Sequence, residues 1–324
     1  MDKFRYIYSA AEQEEIRDIQ KKYMKPEEDK MEQLRKMDAA VTMKATMTSI
    51  VVGVIGTLIM GTGIGVLLKI IQKVYRKNIS RLFFCLFADK TKNNQKIQEL
   101  SDIHAGKRAF VICNGPSLLP EDLDAINKKG DLSFACNKID KIFTKTNWRP
   151  TYYAVLDETF QYSLVDTMSV IPASYKFLSK DSYIKTRKVR GDVIFIETIG
   201  GSALLDNPKF SKQLSSGIYT IGTTTYSLIQ IAVSMGIKEI YIIGCDNTYA
   251  KEIKRDGSIV NNGKNSYFEG TSQKDQMNAA ATWQMDIAYD YARKYADSNG
   301  IKIYNATRGG CLEAFQRVNF DSLF

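Results

Sequence analysis

Phe110-Val111-Ile112-Cys113-Asn114-Gly115-Pro116-Ser117-Leu118 is the stretch whose reading decides the fold. An apolar run rich in β-formers stops at Asn-Gly-Pro-Ser, and Pro120, Glu121 and Asp122 then open a helical pattern. The expectation is strand, tight loop, helix. Asn114 and Gly115 tolerate backbone angles that bring amides close to a ligand, and Ser117 can cap a helix whose positive end favours phosphate. The spacing is neither Gly-x-Gly-x-x-Gly nor a loop ending in Gly-Lys-Ser/Thr, so neither the dinucleotide fingerprint nor a P-loop is implied. An ordinary strand-to-helix turn is the alternative.

Outward from this loop, strands are expected near 109–113, 131–136, 151–156, 173–178, 192–197, 238–243 and 301–304, with helices near 120–128, 157–168, 222–235 and 272–298. Such alternation predicts an α/β, Rossmann-like domain over 105–324, a mostly parallel sheet with helices on both faces. Ligands of such sheets bind outside the carboxyl ends of the strands.

Those ends supply the candidate residues. The first strand delivers Asn114, Gly115, Pro116 and Ser117; the second delivers Asn137, suited to a base or ribose or, alternatively, to capping a helix; the third delivers Asp157 and Glu158. The run Glu239–Ile243 continues into Gly244-Cys245-Asp246-Asn247, and Asp246 is the first choice for a functional carboxylate, on a ribose hydroxyl or a divalent cation. Thr223, Thr224 and Thr225 open the preceding helix, where hydroxyls and amides suit an anion as well as a cap. Residues 250–271 are loop-like, either a lid carrying Tyr249, Tyr267 and Glu269 over the crevice or an ordinary polar loop. Met277, Ala280, Ala281, Ile287, Ala288, Tyr291 and Tyr295 recur at helical spacing as core. Asn305-Ala306-Thr307-Arg308-Gly309-Gly310 follows the last strand, with Arg308 placed to pair with phosphate or to stand as a surface cation.

Composition narrows the chemistry. The chain has 324 residues, 44% hydrophobic and 25% charged, with a net charge of +9 that favours anionic partners. Five cysteines form no Cys-x-x-Cys pair and no metal-ligand spacing, and read as reduced, buried thiols of a cytoplasmic domain. The single histidine, His104, falls in a polar run and reads as a solvated linker residue, which excludes a His-rich zinc site and disfavours a histidine base.

Residues 1–44 are a charged helical region, and Ala45 to Leu68 carry no charge, a length that reads as one transmembrane helix with a Gly61/Gly65 pair. Lys69, Lys73, Arg76, Lys77 and Arg81 follow, interleaved with apolar residues. This amphipathic stretch, the start of a juxtamembrane segment and linker over 69–104, is expected on anionic lipid, with Phe83 to Phe87 in the interface and 88–108 as polar linker. The positive-inside rule then places the 105–324 domain on the cytoplasmic face of the cell membrane, with a single pass.

Asn-Gly-Pro-Ser-Leu at 114–118, Asn137, Gly-x-Asp at 244–246 and Asn-Ala-Thr-x-Gly-Gly at 305–310 together resemble the 6-hydroxymethylpterin diphosphokinase MptE-like family over about residues 105–324. The first motif, Asn137 and the Gly-x-Asp strand are also similar to those of bacterial sialyltransferases that use a CMP-activated sugar. That resemblance implies nucleotide contacts at Asn114, Gly115 and Asn137, and approximate matches at Tyr249 and Tyr267 to tyrosines that help the phosphate leave. The catalytic histidine of those enzymes has no counterpart between Phe110 and Phe324. The first 65 or so residues resemble the start of small bacterial membrane proteins, without their second span.

Two enzymatic readings follow. In the first, a membrane-anchored transferase moves a sugar from a nucleotide-activated donor to a surface-glycan or lipid-linked acceptor, with Thr224 and Arg308 on phosphates and Asp246 or Glu269, helped by Tyr267, handling the acceptor. In the second, an ATP-dependent pterin diphosphokinase holds Mg²⁺ through Asp157 and Asp246; no other cofactor is implied. A non-enzymatic nucleotide- or lipid-binding scaffold is the third class. No basic stripe with exposed aromatics marks a nucleic-acid partner.

Overall fold

The computed structural model describes residues 64–272 and 279–324. The chain divides into two units, residues 1–76 and 77–324. The expected helical region 1–44, residues 45–63 of the expected spanning helix, and Met277 lie outside the described residues. Among the described residues no helix is long and apolar enough to cross a membrane.

The second unit is built on an eight-stranded sheet. Its strands are β1 (Arg108–Ile112), β2 (Leu132–Cys136), β3 (Tyr152–Val155), β4 (Tyr175–Ser179), β5 (Val193–Ile196), β8 (Glu239–Ile243), β12 (Lys302–Asn305) and β13 (Gln316–Arg317), in the order 13-12-8-1-2-3-4-5. Every pairing is parallel. A parallel sheet needs both faces covered, which is why β1, β2 and β3 read as nearly continuous apolar runs. Chain order proceeds outward from β1 through β5 on one side and through β8, β12 and β13 on the other, so the topological switch lies between β1 and β8.

Successive β1 side chains divide between two cores. Ala109 and Val111 face Tyr226, Leu228, Ile229 and Ala288, contributed by helices Thr224–Ser234 and Thr282–Ser298, while Phe110 and Ile112 face Leu123 and Ile126 of helix Pro120–Lys129. Leu123 and Ile126 are fully buried, each stabilising by about 1.5–3 kcal/mol relative to exposure. Pro120 starts that helix and Gly130, at φ +72°, ends it.

The five longer helices are α1 (Ile64–Phe87), α2 (Lys90–Glu99), α3 (Pro120–Lys129), α4 (Thr224–Ser234) and α5 (Thr282–Ser298). Part of α1 corrects the expectation of a lipid-facing basic stretch. Within the second unit Lys77 pairs with Asp181 at 3.0 Å, and Arg81 pairs with both Asp181 and Glu197. Ser80 and Phe84 are buried, Phe84 meeting Tyr183 edge-on at 5.2 Å. Two of the five expected collar charges therefore neutralise carboxylates of the fold itself, while Leu82, Leu86 and Phe87 stay exposed.

The expected linker 88–108 instead contains α2. Asp89 caps it through the Lys92 N–H, Ile97 and the following Leu100 enter the core, and the Asn93 side chain exchanges two hydrogen bonds with the Phe195 backbone at the sheet edge. His104 is likewise not solvated: it is buried, with Nε2 2.6 Å from the Tyr152 hydroxyl, and burial pulls its pKa below 6.5.

The expected helix 157–168 is two short helices, Glu158–Ser163 and Val165–Val170. The loop expected over 250–271 contains β9 (Lys251–Ile253) and β10 (Ile259–Asn261), a hairpin to which β11 (Ala279–Ala280) adds. Ala280 therefore pairs with Glu252, and the helix expected from 272 starts at Thr282. A further small sheet, β6 (Thr198–Gly200) with β7 (Ile218–Thr220), precedes α4.

Candidate functional site

The switch between β1 and β8 brings three separate sequence motifs onto Asp246. Gly115 N–H donates to the Gly244 carbonyl at 2.7 Å, clamping the two strand-end loops together. Ser117 donates twice to Asp246 Oδ2, from its N–H at 3.1 Å and its hydroxyl at 2.8 Å. Ser117 thus does not cap α3, whose N-cap is Leu119 without a side-chain bond. From the other side, Cys311 N–H donates to the Asp246 carbonyl at 2.7 Å. A Cβ on Gly310 would lie 2.6 Å from Asp246 Cα, so only glycine fits there.

Asn305 holds that last loop. Its amide donates to the Leu312 carbonyl at 2.7 Å and accepts from Thr307 N–H at 3.0 Å, while Thr307 Oγ1 accepts from Cys245 N–H at 3.2 Å. The Asn-Ala-Thr-x-Gly-Gly motif is therefore a brace for Gly-x-Asp. Asp246 is 8% exposed, and burial pushes its carboxyl above the usual range despite the Ser117 bonds.

Three asparagines stand at the ends of β8, β1 and β2, adjacent strands at the centre of the sheet. Asn114 donates to the Cys136 carbonyl at 3.1 Å, yet its Oδ1 is buried without a partner. Asn137, at φ +53°, likewise has an unpartnered buried Oδ1, and its carbonyl accepts from the Tyr153 hydroxyl. Asn247, at φ +51°, repeats the pattern. Buried acceptors left unpaired are costly, about 1–3 kcal/mol each, and these three stand at the carboxyl edge of the sheet, where ligands of such folds bind. The short 3-10 turn after Asn137 takes Lys138 as its N-cap, so the alternative role of Asn137 as a cap is not realised.

The start of α4 reaches the same edge. Thr223 caps it by accepting from Thr225 N–H at 3.2 Å, Thr225 Oγ1 lies 3.1 Å from Cys113 Sγ, and Thr224 is half-buried in the first turn. Its positive end thus lies against the end of β1. Around it, burial pushes Cys136 up to about 12, and the Cys245 contact with burial raises Cys113. Cys113, Cys136 and Cys245 are free and buried, whereas Cys85 and Cys311 are free but exposed, which corrects the expectation of five buried thiols.

The remaining expected residues sort by placement. Tyr249 lies beside Tyr267 and Cys245, and burial raises its phenol, so it stays protonated. Phe268 N–H donates to the Asn114 carbonyl at 3.0 Å, bringing the segment after β10 to the crevice. Glu269, however, is 90% exposed and paired with Lys145 at 2.8 Å, which lowers its pKa and makes it a weak base. Pro116 is exposed at the loop tip. Arg308 is held by Asp122 at 2.9 Å and by Asp321, so its donors are engaged within the fold. Asp157 is exposed and accepts from Phe160 N–H at 3.4 Å. Among the described residues no group of three or more His, Cys, Asp or Glu side chains gathers to hold a metal, and the two expected ligands follow different strands, Asp157 after β3 and Asp246 after β8, with β1 and β2 between them.

Asn247, Tyr289, Trp283 and Asp286 were not singled out by the sequence reading. Only Asn247 carries a local signal, an asparagine directly after the Gly-x-Asp turn.

A parallel sheet with paired strand-end loops and a buried carboxylate at its switch point defines a Rossmann-like α/β protein with a ligand crevice. The 6-hydroxymethylpterin diphosphokinase MptE-like family matches residues 86–252, just over half of the 324, and the chain belongs to that family, which places it among transferases. A comparison with curated proteins finds no match. Among solved structures, that of MAf glycosyltransferase from Magnetospirillum magneticum AMB-1 aligns with a TM-score of 0.46 at 14% identity, over 72% of this chain and 39% of that one.

Proposed function

We propose that this chain is a membrane-anchored, nucleotide-dependent transferase that moves a sugar from a nucleotide-activated donor to a surface-glycan or lipid-linked acceptor. The observation that carries the reading is the set of unpartnered amide oxygens of Asn114, Asn137 and Asn247 around Asp246. They suit base amino groups and sugar hydroxyls, donors that a nucleotide-sugar supplies together. In this reading Asn114 and Asn137 hold the nucleoside, the Gly115-Pro116-Ser117 loop, whose own amides are spent on Gly244 and Asp246, fixes the carboxylate beside it, and Thr224 with the α4 amides faces the phosphates.

Asp246, with its raised pKa, takes the acceptor proton; Oδ2 is occupied by Ser117, which leaves Oδ1 for the acceptor. Tyr249 and Tyr267 supply phenol protons to the departing phosphate. Because Glu269 and Arg308 are tied up in ion pairs, neither carries a step. The uncharged run 45–68 and the exposed Leu82, Leu86 and Phe87 support the membrane anchor; in this reading the domain lies on the cytoplasmic face, where a lipid-borne acceptor is reached in two dimensions.

The family description favours one second reading, ATP-dependent diphosphoryl transfer to a pterin alcohol. Incubation of the full chain with CMP-, UDP- and GDP-sugars, following nucleotide release with membrane glycolipid as acceptor, tests the first. Release abolished by Asp246→Asn is the expected result. AMP formed from ATP only in the presence of the pterin would establish the second reading instead.

A further inference from the structure

We propose that Asn247, Trp283 and Asp286 form a hydroxyl-binding wall that holds the sugar of the donor. The crevice then has a nucleoside half at β1 and β2 and a sugar half between β8 and α5. This rests on the nucleotide-sugar reading above.

Asn247 directly follows Asp246, and its left-handed backbone turns the amide toward α5, where Nδ2 donates to Asp286 Oδ1 at 2.7 Å. Its Oδ1 remains buried and unpartnered. Trp283 stands three residues before Asp286 in α5, so the two share one face of the helix. The Trp283 Nε1–H is also buried, with no acceptor among the described residues. The Arg255 guanidinium lies 5.3 Å from the ring centroid, which covers that face and leaves the indole N–H edge as the recognition element.

An orphaned acceptor, an orphaned donor and an exposed carboxylate on one wall complement neighbouring hydroxyls, each of which donates and accepts. α5 also reaches the crevice itself. The Tyr289 hydroxyl lies 3.3 Å from Thr223 Oγ1 and 3.4 Å from Cys245 Sγ, and a Cβ on Gly222 would lie 3.1 Å from Gln284 Cβ. The start of α5 is thus pressed against the loop that leads into α4, beside the end of β8.

The test compares each nucleotide with its sugar-bearing form by calorimetry on the full chain, using CMP, UDP and GDP against a CMP-, UDP- and GDP-sugar. Trp283→Phe keeps an aromatic ring but removes the N–H together with the five-membered part of the indole. Its affinity for the preferred nucleotide should stay within about twofold of wild type, while affinity for the matching nucleotide-sugar falls about tenfold, the scale of one lost bond that leaves its partner unpaired. Asp286→Asn, at an exposed position, should give the same split and decides the matter should Trp283→Phe fold poorly. Equal affinities for the nucleotide-sugar in wild type and variants would overturn the sugar wall while leaving the nucleotide site standing. Failure of wild type to bind any of the six ligands would overturn both.

Discussion

Replacing Gly115 with alanine places a methyl group where the three motifs meet. The new Cβ would overlap Asp246 Oδ2, lie 2.5 Å from the Gly244 carbonyl oxygen and 3.0 Å from Asp246 Cγ. Neither neighbour can step aside cheaply, because Gly244 accepts from Gly115 N–H and Asp246 is pinned by two Ser117 donors and by Cys311. Overpacking costs about 1–3 kcal/mol. Losing the charge-assisted Ser117 bonds adds to it, for a total of about 3 kcal/mol. For a unit spanning residues 77–324, that total corresponds to a fall in Tm of about 6–12 °C. Differential scanning calorimetry measures it. In an Asp246→Ala background the carboxylate overlap is gone, so the penalty of Gly115→Ala should shrink by about half, a coupling of the size expected for residues in contact. A Gly115→Ala protein melting within about 2 °C of wild type would refute the convergence of the loops on Asp246.

Two further outcomes follow from the fold. His104 is the single imidazole of the chain, so its proton resonance is unambiguous, and its titration midpoint should lie below 6.5; a midpoint at or above 6.5 contradicts its burial against Tyr152. Since the folded pKa is depressed, the group contributes stability above pH 6.5 that is lost as pH falls through the folded value, and His104→Gln should remove that slope from a urea-melt pH series. Asp181→Ala removes the buried acceptor of Lys77 and Arg81, costing about 1–2 kcal/mol because both cations are partly exposed, and should speed tryptic cleavage between residues 77 and 87; unchanged cleavage would mean that the docking of the helix does not depend on Asp181.

Seven of the eight strands of the central sheet were legible because they are short runs rich in apolar residues that end abruptly, as Phe110–Ile112 ends at Asn114 and Glu239–Ile243 at Gly244, whereas β13, two exposed polar residues, gives no such signal. Those endings also exposed Asn114, Asn137 and Asp246. What stayed hidden depends on tertiary neighbours. α2 reads as linker because Lys-Thr-Lys-Asn-Asn has no apolar period, and only the Phe195 backbone gives Asn93 its role. The strands β9, β10 and β11 have two or three residues, too few for an alternation to register. Arg308 looked available beside two glycines, yet Asp122 and Asp321, 186 and 13 residues away, take its donors. The pairing of Asn247 with Asp286 spans 39 residues and carries no sequence signature.

The most direct measurement is calorimetric titration of wild type and Asn137→Gly with CMP, UDP, GDP and ATP, each with and without Mg²⁺. Glycine keeps the left-handed backbone of φ +53° and the carbonyl that accepts from Tyr153, deleting only the amide with the unpartnered oxygen. The account predicts that wild type binds CMP, UDP or GDP without needing Mg²⁺ and that the variant binds it about tenfold more weakly at unchanged Tm. Undiminished affinity in the variant, or no nucleotide binding by wild type, would contradict it.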